Sequence, residues 1–307
     1  MTGKNLCFVG MIMAASGILS PPLALIAGIA YGMTLQHPYH LDAQRLSRWL
    51  LQASVIALGF GMPLTEVMRV GRSGILYTAG SIAVVVALGL ILGRALRVKS
   101  GSSYLITIGT AVCGGSAIAA VGPISQASDE DMAVSLGTVF LLNSVALIAF
   151  PLVGHAVGLS QEQFGLWAAL AIHDTSSVVG AAAKYGAIAL AIGTTVKLAR
   201  ALWIVPVSLT TAVIYKSRTR IRWPWFIGLF CLAALANTCF PQFRGPFGDL
   251  NRLGRTGLTV TLFLIGTGIT RRTLREVGLR PLAQGLLLWV AIASGSLMLI
   301  RAGWVRL

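Results

Sequence analysis

Residues 171–186 read Ala-Ile-His-Asp-Thr-Ser-Ser-Val-Val-Gly-Ala-Ala-Ala-Lys-Tyr-Gly, and the fold turns on why His173 and Asp174 stand side by side in an apolar run. Asp, Thr and Ser are N-cap residues whose short side chains compete for backbone groups. The stretch therefore predicts a helix that stops at His173-Asp174-Thr175-Ser176-Ser177 and a half-helix that restarts near Thr175. A second stretch, Leu105 to Ile124, carries Cys113-Gly114-Gly115-Ser116 at its middle. Each glycine weakens a helix by about 1 kcal/mol relative to alanine, which predicts another break, with a restart near Ser116.

The surroundings make these breaks consequential. Eleven apolar runs, near 5–19, 22–36, 49–64, 74–93, 103–123, 132–156, 164–183, 190–215, 223–240, 256–270 and 281–300, follow one another with short polar connectors. Runs of this length cross a ~30 Å hydrocarbon layer directly or with tilt. With 56% hydrophobic residues, 11% charged and a mean hydropathy of +0.81, no soluble domain is left over. The expectation is an all-α polytopic membrane protein, one transmembrane domain over residues 1–307, with the lipid bilayer as its constant partner. A net charge of +15 does not point to nucleic acid, because the bases sit between apolar runs with no aromatic interleaving. Cys7, Cys113, Cys231 and Cys239 fall in apolar stretches and predict no disulfide. The first twenty residues look like a secretory signal, yet Ile18-Leu-Ser-Pro-Pro-Leu-Ala24 runs straight into a second apolar segment, so this helix is expected to be retained.

Alternating the connectors puts Lys4, Arg45, Arg48, Arg94, Arg97, Lys99, Lys216, Arg218, Arg220, Arg222, Arg271, Arg272, Arg275 and Arg280 on one side. Fewer bases, Arg69, Arg72, Lys184, Arg244, Arg252, Arg255, Arg301 and Arg306, fall on the other. The positive-inside rule makes the first side cytoplasmic, with the N-terminus inside and the C-terminus outside.

Internal symmetry is the next signal. Residues 41–62 and 248–269 align without gaps, matching Asp42 to Asp249, Arg45 to Arg252, Leu46 to Leu253, Arg48 to Arg255, Gly59 to Gly266 and Gly61 to Gly268, and the register continues to Arg94 with Arg301. An odd number of crossings separates the two, so they predict inverted repeats, one over about 20–156 and the other over about 164–303. A weaker match pairs Thr138–Ser144 with Thr195–Ala201. If all eleven runs cross, this second pair would run in the same direction, against the inversion of the first. Two opposed re-entrant hairpins at 103–127 and 164–186 remove the conflict; two broken helices that cross fully remain the alternative.

Broken helices inside a bilayer expose backbone groups that protein or a water-filled cavity must satisfy. Half-helix N-termini attract anions, which marks Thr110, Cys113, Gly114, Gly115, Ser116, Thr175, Ser176 and Ser177 as candidate substrate-binding residues of two helices meeting mid-membrane. Lys197 and Arg200, three residues apart in the next run, are expected to face the same cavity, with Asn143 at the pseudo-symmetric place of Arg200. An ionised group at a membrane centre costs at least ~2.5 kcal/mol, so His173 and Asp174 are candidates for proton coupling. Cys113, His173 and Asp174 also make a set of nucleophile, base and orienter, but no spacing supports catalysis, and no nucleotide loop, cofactor fingerprint or metal-ligand pattern occurs. Neither an enzyme nor a cofactor is expected.

At these residues the chain resembles the YeiH-type sulfate exporter family of bacterial inner-membrane proteins, over essentially its whole length. The resemblance is most specific in 105–124, 171–186 and 195–209, through Cys113-Gly114, His173-Asp174 and Lys197 with Arg200. Members carry glutamate where this chain has Asp174 and glutamine where it has Ser177, so here the charge sits on a shorter arm. The resemblance implies a secondary transporter in the inner membrane, with sulfate export ascribed by association. Together with the residues, it sets the leading expectation: a proton-coupled carrier of a small anion, sulfate or a related sulfur oxyanion or sulfonate, working by alternating access. Two alternatives stand beside it, a cation/proton antiporter using Asp174 and an uncoupled channel. Helices rich in small residues often dimerise, which leaves a homodimer open.

Overall fold

A computed structural model describes residues 3–35, 40–217, 224–268 and 277–305, and every regular element in them is helical. Of the bases used for topology, Arg218, Arg220, Arg222, Arg271, Arg272, Arg275 and Arg306 lie outside the described residues. Among the described residues, four helices are long and apolar enough to cross a membrane unaided, Tyr77–Ala95, Asp129–Ala156, Ala187–Ile214 and Leu279–Arg301, or up to six if each bent pair counts as one span. This is fewer than eleven because several apolar runs are short, bent or folded back on themselves.

The chain opens with α1 (Gly3–Ala15), α2 (Pro21–Thr34), α3 (His40–Gly59) and α4 (Leu64–Ala95). The run at 103–123 then divides into α5 (Ser100–Ala111) and α6 (Gly115–Val121), followed by the long α7 (Asp129–Ala156). The run at 164–183 divides into α8 (Gln161–Ala171) and α9 (Thr175–Tyr185), followed by α10 (Ala187–Ala201) and α11 (Ile204–Ile214). Ser128 starts α7 and Ser160 starts α8, each with a reciprocal capping box that satisfies two otherwise orphaned amides. The chain closes with α12 (Trp225–Cys239), α13 (Arg244–Thr267) and α14 (Leu279–Arg301).

Both divided runs are hairpins. Ser102, at the start of α5, donates to Asp131 at the start of α7 (2.6 Å), and Ser135 of α7 donates to the Ser102 carbonyl (3.1 Å). The chain between them enters along α5 and comes back to the same end. In the second hairpin, Gln161 at the start of α8 accepts from the Ile188 amide of α10 (3.0 Å), and Tyr185 donates to Leu159 (2.7 Å) while stacking on Phe164 (3.8 Å).

The hairpins enter from opposite ends, and α14 measures the separation. Gln284, near its start, donates to the Ser103 hydroxyl of α5 (3.0 Å); Ala293, further along, accepts from the Trp167 indole of α8 (2.8 Å). Its last turn, Ile300 and Arg301, lies against Ser160 and Glu162. At 1.5 Å per residue, ~24 Å of helix separates Gln284 from Ile300. The long elements run between these ends in opposite senses. α7 goes from Ser102 to Phe164, while α10 and α11 go from Gln161 back to Tyr104, whose hydroxyl bonds Thr211 (2.7 Å). The two stretches matched in sequence, in α3 and α13, pack antiparallel. Asn251 donates to the Leu58 carbonyl (3.0 Å), and a Cβ at Gly254 would come within 2.8 Å of the Ser54 carbonyl, so only glycine permits the approach.

Candidate functional site

The two hairpin tips meet inside the molecule. At the first tip, Val112 and Gly114 still donate to Ile108 (3.0 Å) and Gly109 (2.8 Å), which leaves the carbonyls of Thr110, Ala111 and Val112 with no helical partner. At the second, Ile172 donates to Ala168 (2.9 Å), and the carbonyls beyond it are left over in the same way. In a membrane interior each such group costs several kcal/mol if unpaired.

Lys197 and Arg200 supply the missing donors. Both are on α10 and fully buried. Lys197 Nζ donates to Ile172 (2.6 Å), Val112 (3.4 Å) and Ala169 (3.4 Å). Arg200 donates through Nε to Ala111 (2.8 Å), through Nη2 to Thr110 (3.1 Å), and through Nη1 to Leu170 and to Ala169 (3.4 Å). Two cations thus bind the C-terminal ends of two half-helices, where each helix carries about half a negative charge. Sequence reasoning placed both cations beside half-helix N-termini with their charge turned to a cavity. The geometry differs because each break creates a C-terminus as well, and the left-over carbonyls take up most of the donors. Protein, rather than a water-filled space, satisfies these carbonyls.

The N-terminal side of the second break is satisfied locally. Asp174 caps α9, accepting from the Ser177 amide on one oxygen (2.9 Å) and from the Ser176 hydroxyl on the other (2.8 Å). Gly114, at φ +65°, lets the tips touch: a Cβ there would stand 3.3 Å from the Asp174 backbone nitrogen and Cβ. Asn143 of α7 accepts from the His173 amide (3.1 Å), which ties the middle of the long helix to the second tip.

Of the predicted residues, Thr110, Cys113, Gly114, Asn143, His173, Asp174, Ser176, Ser177, Lys197 and Arg200 are buried at this crossing. Gly115 and Thr175 are half-buried, with Gly115 against Phe140. Ser116 is exposed and forms no hydrogen bond to the others, so it stands apart from the buried set. Several buried polar atoms here lack a partner: Thr110 Oγ1, Asn143 Nδ2, both ring nitrogens of His173, and the hydroxyl of Thr194 on α10. The amide, the hydroxyls and one imidazole nitrogen are all donors that an oxyanion accepts. Thr194 escaped the sequence reading although it lies three residues from Lys197 on the same helical face, whereas Thr195 turns towards Gly71 of α4.

The chain matches the family model described as conserved hypothetical protein 698 over residues 6–285. It is similar to a UPF0324 membrane protein of Bacteroides thetaiotaomicron, 45% identical over 95% of this chain and 90% of that protein. It is also similar to UPF0324 membrane proteins of Bdellovibrio bacteriovorus (45% identical; 98% and 93% covered) and Geobacter sulfurreducens (44%; 99% of each). No solved structure matches it.

Proposed function

The chain belongs to the conserved hypothetical protein 698 family, the UPF0324 membrane proteins, which is the YeiH-type family, and from its crossing we propose that it is a secondary active transporter of a small anion. The observation that carries this is the charge balance. Lys197 and Arg200 bring two positive charges, the ends of α5 and α8 offset about one, Asp174 offsets another, and the start of α9 returns about half. Two buried basic side chains beside a single carboxylate favour an anion over a cation here.

Protonation of Asp174 raises the affinity for the anion, which couples its movement to a proton. The substrate is sulfate or a related sulfur oxyanion or sulfonate, bound by the unpartnered donors of Asn143, His173, Thr110 and Thr194. The opposed hairpins with their long helices, and the antiparallel α3 and α13, form two inverted repeats that alternate access between the faces. The end where α5 starts carries Arg94, Arg97, Lys99, Lys216 and Arg280, so it faces the cytoplasm of a bacterial inner membrane and the end of α14 faces the periplasm. No reaction is catalysed.

The test is the thermal stability of the purified protein against sulfate, sulfite, methanesulfonate, acetate, sodium and potassium across pH. One anion should raise the melting temperature saturably, by an amount equivalent to about 2.7 kcal/mol at a hundredfold excess over Kd, and more strongly at low pH. Stabilisation by sodium or potassium alone would replace this reading with a cation/proton antiporter centred on Asp174.

A further inference from the structure

Two clefts flank the crossing, and they hold equivalent places in the two halves of the molecule. The first, about 330 Å³, lies where α8 starts and α14 ends, against Ser160, Glu162, Leu166 and Arg301. The second, about 130 Å³, lies where α5 starts and α4 ends, against Gly93, Arg94, Ser103 and Tyr104. The ~24 Å of α14 between Gln284 and Ile300 puts them at opposite ends of the molecule. Each joins the start of a hairpin to the last turn of a long helix, and each holds one arginine from that turn. Arg94 and Arg301 stand in the same register that relates Asp42 to Asp249 and Arg48 to Arg255.

Each arginine stands in the last turn of its helix, where a cation offsets the negative helix end. Both side chains are exposed, and among the described residues neither forms an ion pair or a side-chain hydrogen bond, although Glu162 shares the first cleft. The clefts stop short of the crossing. Leu166 is six residues from Ile172, about 9 Å along α8, and Tyr104 is eight from Val112, about 12 Å along α5. A buried positive site therefore lies between two shallow mouths, each carrying a free guanidinium.

We propose that the two clefts are the alternating mouths of the transport path and that Arg94 and Arg301 are their recruiting residues, each the first fixed charge an anion meets from its own side. This rests on the anion-carrier reading. It adds which residues set affinity from each face. An exposed charge at the rim of a cleft raises the local concentration of anions there, so loss of one arginine weakens capture on its side alone. Of the two clefts, the one at α8 and α14 has the larger volume.

The experiment is zero-trans flux of sulfate, sulfite and methanesulfonate in right-side-out and everted membrane vesicles containing the full chain. Arg301→Gln should raise KM about three- to tenfold from the face where α14 ends and leave KM from the other face within about twofold. Arg94→Gln should do the reverse, and lysine at either position should restore the wild-type value. Added potassium chloride should raise the wild-type KM and leave the affected face of each variant nearly unchanged, because recruitment is screened and a packing role is not. Equal shifts from both faces, or no shift from either while the wild type transports, overturn the proposal and leave the carrier reading intact. If the wild type moves none of the three anions, the carrier reading fails and the mouths fail with it.

Discussion

Arg200 reaches two helix ends from one Cα, with Nε and Nη2 on α5 and Nη1 on α8. A planar fork does this because its donors point in different directions, whereas an ammonium is a point charge on a flexible stem. Arg200→Lys keeps the charge and loses the span, so at least two buried carbonyls go unpaired at about 1–3 kcal/mol each. The expected result is a melting temperature several degrees below wild type in detergent; an unchanged melt would mean these carbonyls find other donors. Asp174→Asn should behave in the opposite way. Asparagine is as good an N-cap as aspartate, so stability should change by less than about 1 kcal/mol. The pH dependence of anion stabilisation should disappear while binding persists, and outright loss of binding would instead mark Asp174 as a cation ligand.

At the scale of elements, the two breaks were legible because helix starts carry side-chain signatures. Asp174-Thr175-Ser176 reads as a cap from sequence and is one, and Gly114 reads as a weak point and adopts φ +65°. These two helix ends carry no such signature, since Val112 and Ile172 stand at the C-caps where glycine would mark a stop. The carbonyls of Thr110, Ala111, Leu170 and Ile172 belong to residues of four unrelated positions, and nothing in their side chains announces that Lys197 and Arg200 will bind them. The spacing of the two cations told of a shared helical face but not of what that face meets. Gly114 offers a sharp check on the contact between the tips. Gly114→Ala places a Cβ at positive φ, 3.2 Å from Val139 and 3.3 Å from Asp174, and should cost about 1–3 kcal/mol. Gly158→Ala has a similar φ of +69° with nothing within 4 Å, so it isolates the backbone strain. If both variants melt alike, the tips do not press on each other.

At the scale of the whole molecule, direction was the hard part, since an apolar run has the same composition whether it crosses or turns back. The sequence match left two readings open, opposed re-entrant hairpins or broken helices that cross fully, and only partner identities such as Ser102 with Asp131 and Gln161 with Ile188 favour the hairpins. These contacts make a topological prediction that needs no substrate. Lys99 and Asp129 flank the first hairpin, Glu162 and Lys184 flank the second, and all four are exposed. In a background with the exposed Cys239→Ser, the single variants Lys99→Cys, Asp129→Cys, Glu162→Cys and Lys184→Cys are treated with a membrane-impermeant maleimide on intact cells and on everted vesicles. Lys99→Cys and Asp129→Cys should label together from the cytoplasmic face, and Glu162→Cys and Lys184→Cys together from the other. Helices that are broken but cross fully would split each pair between faces. Both halves would then run in the same direction, and the alternating path between Arg94 and Arg301 would lose its geometric basis.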